Sequence, residues 1–263
     1  MEIIVPLKEV PDIEKVRFDR EKGRIDRSSA ESGPNPFDLN ALEEAVRMKE
    51  EVGGKVTVVS MGPERAEKTL RDALARGADE AVLLTDKGFS GSDTWATSYT
   101  LAMAIKKIGD YDLIFCGEKT VDGDTGQVGP EIAEILDIPH VAYVNEVIER
   151  HEEKIVVKNK MWGMTCTREL KPKGLMTVTK DVNEPRLPSL KDKLRAKKAE
   201  IVKWDLEELS KYGQGENFGL KGSPTSVVNI EVPKEKGREC LKFQGPDAVE
   251  EMLEKLESDM GGI

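Results

Sequence analysis

The sequence predicts an α/β fold, namely an open, mainly parallel, twisted sheet with flanking helices in the doubly wound arrangement, plus antiparallel hairpins and a C-terminal arm. The first observation is a repeat over the first 140 residues, in which short apolar runs alternate with segments of helical periodicity. The second is a change after His140, where short strand-like runs follow one another across polar turns. Strand–helix alternation at this spacing gives right-handed βαβ units, and therefore a parallel sheet.

Four runs rich in Val, Ile and Leu have the length of strands that are buried on both faces. They span residues 2–7, 55–61, 81–85 and 111–117.

Capping residues and apolar periodicity indicate the helices between these strands. Asp38 is predicted to cap the first helix. Pro63 lies where a first-turn proline is tolerated, and Gly77 ends that second helix. Asp93 is predicted to cap the third helix, and the fourth begins near Gln127.

The second half of the chain predicts antiparallel strands and then a basic helix. The strands span residues 141–148, 154–160 and 165–170, with a further strand at 174–179, and the helix spans 190–198. We therefore expect an α/β domain over residues 1–209, with a hairpin region at 141–180.

Residues 210–263 are predicted to form the C-terminal arm. Residues 210–224 are rich in Gly, Ser, Asn and Lys, as in an extended segment. A final helix begins at Pro246, and its apolar positions must pack on this domain or on another subunit. These positions are Val249, Met252, Leu253 and Leu256.

Composition excludes several classes of function. A net charge of −10 argues against nucleic acid, because phosphate binding needs clustered Lys and Arg. No stretch approaches the roughly 20 apolar residues of a membrane span, and the strand-like start lacks a basic leader, so we expect a soluble, cytoplasmic protein. Three scattered cysteines and two histidines predict neither a disulfide framework nor a metal site.

The loop at residues 117–130 is the strongest candidate for ligand binding. It follows a predicted parallel strand, and ligands of open α/β sheets bind beyond the carboxyl ends of the strands. Its glycines allow close approach of the main chain, and the amides of Gln127, Val128 and Gly129 open a helix whose positive end favours phosphate. Thr125 can add a hydroxyl. The alternative is a well-capped loop whose aspartates only satisfy turn amides.

Two further loops are in equivalent positions. In residues 86–97, Ser92, Asp93 and Thr94 can reach a ribose or phosphate, or simply cap the helix. In residues 33–38, two prolines flank Asn35 and hold its side chain in one place, as a ribose or base contact would require. No Ser/His/Asp or Cys/His set is plausible, so we expect a chain that holds a cofactor and supplies no catalytic side chain.

These segments resemble the beta subunit of electron-transfer flavoprotein over nearly the whole chain. The resemblance implies an adenine-nucleotide-binding fold and an electron carrier that forms a heterodimer with an alpha subunit carrying its own FAD. The matching segments are LKEVPD (7–12), NPFDLNALEEAVRMKE (35–50), VVSMGP (58–63), ARGAD (75–79), VDGDTGQVGP (121–130) and DVNEPRLPSLKDKLRAKK (181–198).

Within this family the beta-subunit nucleotide is either a structural AMP, with a loop similar to DDDCNQTGQ, or a second FAD, with a loop similar to DGDTAQVGP. The FAD belongs to the electron-bifurcating branch, which takes electrons from NADH and passes one to the alpha-subunit FAD and one to a low-potential acceptor. This chain reads DGDTGQVGP, which differs from the latter only at Gly126. It also carries GSDTWATS (91–98) and GLKGSPTSV (219–227), and all three segments favour FAD and NAD(H) over AMP.

The resemblance also assigns residues and partners. Residues 183–198 match the family's recognition segment, in which Leu190 would anchor a partner, and the C-terminal arm would pack on the alpha subunit. Further partners would be an acyl-CoA-type or other dehydrogenase, or a quinone- or ferredoxin-linked complex. The implied nucleotide contacts are Pro6, Asn35, Met61, Asp93, Thr94, Thr97, Gly117, Asp122, Gly123, Asp124, Thr125, Gly126, Gln127, Val128 and Gly129.

Two alternatives remain at this stage. One keeps the family but has AMP in this subunit and no bifurcation. The other is a universal-stress-type nucleotide-binding module, although such domains have no equivalent of NEPRLPSL (183–190).

Overall fold

A computed structural model of the chain describes residues 1–11, 17–19, 24–26, 32–228 and 240–260. The chain divides into two compact units, Met1–Val228 and Asn229–Ile263. The strands are β1 (Glu2–Pro6), β2 (Glu9–Pro11), β3 (Arg17–Asp19), β4 (Arg24–Asp26), β5 (Ser32–Pro34), β6 (Lys55–Met61), β7 (Glu80–Leu84), β8 (Leu113–Gly117), β9 (His140–Arg150), β10 (Ile155–Met161), β11 (Met164–Leu170), β12 (Gly174–Val178) and β13 (Val202–Trp204). The helices are α1 (Pro36–Val52), α2 (Glu67–Ala75), α3 (Thr94–Ile108), α4 (Val128–Leu136), α5 (Leu190–Lys198), α6 (Leu206–Leu209), α7 (Gly219–Gly222) and α8 (Ala248–Met260).

The main sheet has nine strands in the order β11-β10-β9-β12-β8-β1-β6-β7-β13. The seven strands β9-β12-β8-β1-β6-β7-β13 pair with their neighbours in parallel, which confirms the predicted α/β class. The chain runs from β1 to β6 and β7 on one side and then returns to place β8 on the other side of β1. The carboxyl ends of β1 and β8 therefore flank the topological switch point, where ligands of open α/β sheets bind.

Strands β9, β10 and β11 are antiparallel, as predicted, but they do not form a separate layer. Strand β12 inserts between β8 and β9 and pairs with both in parallel, so the hairpins extend the main sheet. Strand β13 adds to the opposite edge by pairing with β7.

The core has two halves, one on each face of the sheet. Ile3 and Val5 belong to the half beneath α1 and α2, whereas Ile4 belongs to the half beneath α3 and α4. This alternation follows from the two-residue period of a strand, and it explains why β1 is apolar throughout.

The start of α1 differs from the prediction. Asn35 precedes the helix without a side-chain cap, and Asp38 lies inside the first turn. Pro36 begins the helix earlier than Asp38, because its fixed φ suits the first helical position. Asp38 therefore caps nothing, whereas the predicted cap at Asp93 is confirmed, since its side chain accepts the N–H of Ala96 at 3.0 Å.

The first part of the predicted arm folds back onto α3. Residues 215–217 form a 3-10 turn and α7 follows directly. Phe218 is buried against the rings of Phe89 and Tyr99 and fixes this segment. In the second unit, the apolar side chains at 249, 252, 253 and 256 of α8 are all exposed. Over the described residues, each helix is too short or too polar to cross a bilayer.

Candidate functional site

The loop that follows β8 lies at the switch point, where Asn35 just before α1 and Lys8 just after β1 hold it. Asn35 donates its amide to the Lys119 carbonyl at 2.9 Å and accepts the N–H of Val121 at 3.2 Å. Lys8, two residues beyond β1, donates to Asp122 at 2.8 Å. The structure thus brings together Pro6 at the end of β1, the buried Asn35, Gly117 at the end of β8 and residues 122–129.

Lysines pair with two of the three carboxylates of the loop. Besides the Lys8–Asp122 pair, Lys119 lies 2.7 Å from Asp124. Partial burial favours a higher pKa for Asp122, but hydrogen bonds from Lys8 and Thr120 outweigh it and hold the pKa below its usual value. A phosphate that approaches this loop therefore meets ion pairs in place of two free negative charges.

The loop ends in an open helix N-terminus. Gln127 precedes α4 without a side-chain cap, so the first amides of this nine-residue helix have no partner within the helix. Gly126 and Asp124 both have φ near +60°, which turns the main chain toward these amides. Such amides, with the partial positive charge of the helix end, are suited to a phosphate.

The start of α3 is tied to a distant segment of the chain. The Asp93 carboxylate accepts the N–H of Thr225 at 2.9 Å and its hydroxyl at 2.8 Å. The Asp93 N–H donates to the hydroxyl of Ser223 at 2.9 Å. No local pattern predicts these partners, because they lie 130 residues or more from Asp93. Partial burial raises the pKa of Asp93, but these hydrogen bonds and that of the Ala96 amide outweigh it and lower the pKa.

Helices α3 and α4 meet near these starts. Thr94 donates to Glu131 of α4 at 3.3 Å, and Ser98 donates to the same carboxylate at 2.8 Å. Thr97 is half-buried one turn into α3. The second predicted loop therefore adjoins the first along α4.

Met61 lines a cavity of about 490 Å³ at the neighbouring strand ends. The cavity lies beyond the carboxyl ends of β6 and β7, and it is of the size that takes a small ligand. Its other lining residues are Gly62, Pro63, Glu64, Thr85, Asp86, Lys87, Phe89 and Ser90.

Tyr143 is a residue near the loop that sequence reasoning missed. It has φ +59°, and the register of β9 against β12 shifts across it, between Val141 and Val144, as in a β-bulge. Its hydroxyl lies 4.0 Å from where a Cβ on Gly126 would be. The Tyr143 N–H donates to the Thr177 hydroxyl at 3.1 Å, which fixes the bulge. A bulge has no local sequence signal of the kind that a turn or a cap has.

Asp38 is a second residue near the loop, and its role differs from the predicted helix cap. It is 6% exposed, and its Oδ2 accepts the N–H of Lys8 at 2.8 Å. Burial raises the pKa of Asp38 to about 7, although hydrogen bonds from Lys8, Asn35 and Gly117 lower it in part.

This pKa predicts a pH-dependent stability. Between the ordinary pKa near 4 and about 7, the folded state binds more protons at Asp38 than the unfolded state, so stability falls as pH rises through this window and is level above it. The full effect is on the order of 4 kcal/mol. Urea unfolding of the wild type and of Asp38→Asn at pH 5 and pH 8 measures it. We expect the free energy of unfolding of the wild type to fall relative to that of the variant as pH rises. If the difference between the two free energies does not depend on pH, the raised pKa of Asp38 is contradicted.

Leu190 lies elsewhere, as the first residue of α5, which packs on α2. Its side chain is 76% exposed, and Leu187 and Leu194 beside it are also exposed. Arg186 fixes this segment to α1 through Glu43 at 2.8 Å and Glu50 at 2.6 Å.

Within the described ranges, no group of three or more His, Cys, Asp or Glu side chains is placed to hold an ion.

The fold and this loop define a doubly wound α/β protein with a phosphate-compatible crevice at its switch point. Residues 22–209 match the electron transfer flavoprotein domain. The chain belongs to the electron transfer flavoprotein family, as a beta subunit. It is 46% identical to electron transfer flavoprotein subunit beta of Thermoanaerobacterium thermosaccharolyticum over 98% of both chains. It is 43% identical to the same subunit of Clostridium acetobutylicum over 98% of this chain and 99% of that one. It is also 41% identical to the caffeyl-CoA reductase-Etf complex subunit CarD of Acetobacterium woodii, over 90% of each chain.

Proposed function

We propose that this beta subunit holds FAD at the switch-point crevice and takes electrons from NADH for electron bifurcation. The observation that carries the proposal is the convergence of residues 122–129, Asn35 and Gly117 at the carboxyl ends of β1 and β8. Bound FAD would accept an electron pair from NADH and release single electrons to the alpha-subunit FAD and to a low-potential acceptor.

The residues present fit the phosphate part of such a nucleotide. The amides of Gln127, Val128 and Gly129 would bind the pyrophosphate, and the exposed Thr125 would add a hydroxyl. The phenol of Tyr143 would approach the same group from the β9 side. Pro6 and Met61, at the ends of β1 and β6, would border the adenosine.

Two findings favour FAD and NAD(H) over AMP. The segments that resemble the bifurcating branch, at 91–98 and 219–227, are joined in the structure by the hydrogen bonds of Asp93 to Ser223 and Thr225. A relative of 41% identity is named as part of a caffeyl-CoA reductase-Etf complex. The alternative is a non-bifurcating beta subunit with a structural AMP at the same loop.

Exposed apolar side chains support a heterodimer with an alpha subunit. One apolar face of α8 is exposed along its length, including Met252 and Leu256. At the β10–β11 turn, Trp162 and Met164 are 86% and 59% exposed. Leu190 would contact a partner dehydrogenase or other complex, and the assembly would work in the cytoplasm.

Co-expression with its alpha subunit tests the proposal. We expect the purified heterodimer to release two FAD and no AMP on denaturation, and NADH to bleach the flavin absorbance. The control is the same heterodimer incubated without NADH. One FAD with one AMP, and no bleaching by NADH, would establish the AMP alternative.

A further inference from the structure

Three segments of the chain converge on the buried carboxylate of Asp38. The N–H of Lys8, just after β1, donates to Oδ2 at 2.8 Å. The main-chain N–H of Gly117, at the end of β8, and the side chain of Asn35 also stabilise the charged form. Asp38 thus links the ends of the two strands that flank the switch point to the first turn of α1.

Asn35 continues this connection into the loop. Its side chain is fully buried, and its amide nitrogen and oxygen are engaged by Lys119 and Val121 at 2.9 and 3.2 Å. Both atoms that would bind a nucleotide are already used by the main chain of the loop. The sequence suggested a direct ribose or base contact for Asn35, whereas this geometry is that of a support.

We propose that Asp38 and Asn35 are positioning residues for the nucleotide loop, and that the charge of Asp38 is coupled to nucleotide binding. The inference rests on the proposed function, because it concerns the same loop. Oδ2 accepts the N–H of Lys8 and Oδ1 lies against Gly117, so the deprotonated carboxylate keeps both oxygens as acceptors at the ends of β1 and β8, although burial makes its charge costly. Protonation gives one oxygen a hydrogen of its own and weakens the connection between β1 and β8.

The other charged and titratable groups around Asp38 come from the ends of β1 and β8 and from the loop. Lys8 is paired with Asp122, and burial together with the nearby Asp38 charge raises the pKa of the Cys116 thiol. In the loop, Lys119 is paired with Asp124, and burial raises the pKa of Glu118 above its usual value. Because the pKa of Glu118 is raised as well, the test compares the wild type with a variant that lacks only the Asp38 charge.

The test measures FAD affinity of the deflavinated heterodimer between pH 6 and 8, by quenching of flavin fluorescence. FAD is the probe because its pyrophosphate does not titrate in this range. We expect wild-type affinity to rise about tenfold with pH. Asp38→Asn, which replaces one acceptor by a donor, should bind about tenfold more weakly at pH 8 and lose the pH dependence.

Two variants of the same residue type separate positioning from general loss of stability. Asn35→Ala should weaken binding about tenfold and keep the pH dependence. Asn40→Ala is the matched control, since Asn40 is equally buried on α1 but bonds to Asn183 and not to the loop, and we expect it to bind as the wild type does. If the wild type releases AMP, AMP replaces FAD as the probe. The AMP phosphate itself titrates in this range, so the pH profile of Asp38→Asn, which lacks the Asp38 charge, is subtracted from that of the wild type.

Amide exchange gives a readout that needs no nucleotide. The Val121 amide should exchange faster in Asp38→Asn and Asn35→Ala than in the wild type or Asn40→Ala. A wild type that binds neither FAD nor AMP would overturn the proposed function. Exchange of the Val121 amide would still test whether Asp38 and Asn35 position the loop. Unchanged exchange at Val121, or an affinity profile of Asp38→Asn that parallels the wild type, would overturn the present inference alone.

Discussion

Replacing Gly117 by alanine is expected to lower the free energy of unfolding by about 3 kcal/mol and to abolish nucleotide retention. A Cβ at this position would lie 2.5 Å from Oδ1 of Asp38 and 2.8 Å from the main-chain carbon of Phe37. Neither atom can move away, because Asp38 is buried and hydrogen-bonded and Phe37 belongs to the first turn of α1. The end of β8 would have to separate from α1, and the loop would shift with it.

Gly33→Ala is the matched control for this substitution. Gly33 lies in β5, just before the first turn of α1, its φ is not in the left-handed range, and a Cβ there meets nothing within 4 Å. We expect Gly33→Ala to stay within about 0.5 kcal/mol of the wild type and to retain its nucleotide. Urea unfolding and nucleotide release measure both variants, and equal behaviour of the two would disprove the close approach at Gly117.

Replacing Gly129 by alanine should destabilise the protein by about 2 kcal/mol and displace the start of α4. A Cβ there would lie 2.5 Å from the methyl carbon of Thr177, whose short, branched side chain is buried in β12. Alanine gains about 1 kcal/mol of helix propensity over glycine, but the clash is larger, so the net effect is unfavourable. Nucleotide affinity should fall as well, because the amides of Gln127 and Val128 move with the helix.

Thr177→Ser provides the rescue for this substitution. Serine removes the methyl group but keeps the hydroxyl that accepts the N–H of Tyr143. The double variant should recover to within about 1 kcal/mol of the wild type, the remainder being the lost methyl contacts. A double variant that is as unstable as Gly129→Ala would show that the methyl clash is not the cause.

The sequence predicted most of the sheet, because buried parallel strands are continuous apolar runs that contrast with their helices. The bounds of β6 agree with the prediction, and those of β1, β7 and β8 differ by one or two residues. The order of the strands in the sheet could not be predicted from the sequence. The run at 174–179 was recognised as a strand, but only three-dimensional pairing shows that β12 lies between β8 and β9.

Residues of the candidate site could be predicted where their role depends on sequence neighbours. They could not be predicted where their partners are distant in the sequence. Gln127, Val128 and Gly129 could be predicted to open α4, since glycines and a helix start follow a strand. The sequence predicts a cap at Asp38 because aspartate is common at caps, whereas its partners lie in segments 30 and about 80 residues away. The Tyr143 bulge depends on the pairing of β9 with β10 and β12, which no local pattern encodes.

Hydrogen–deuterium exchange of the heterodimer, with and without its released nucleotide, measures directly where that nucleotide binds. If the switch-point loop is the site, adding the nucleotide will slow exchange of the amides at residues 122–129, with the largest protection at Gln127, Val128 and Gly129. Peptides from α8 and from the β10–β11 turn serve as references within the same sample. Unchanged exchange of the loop amides at saturating nucleotide would show that the nucleotide binds elsewhere.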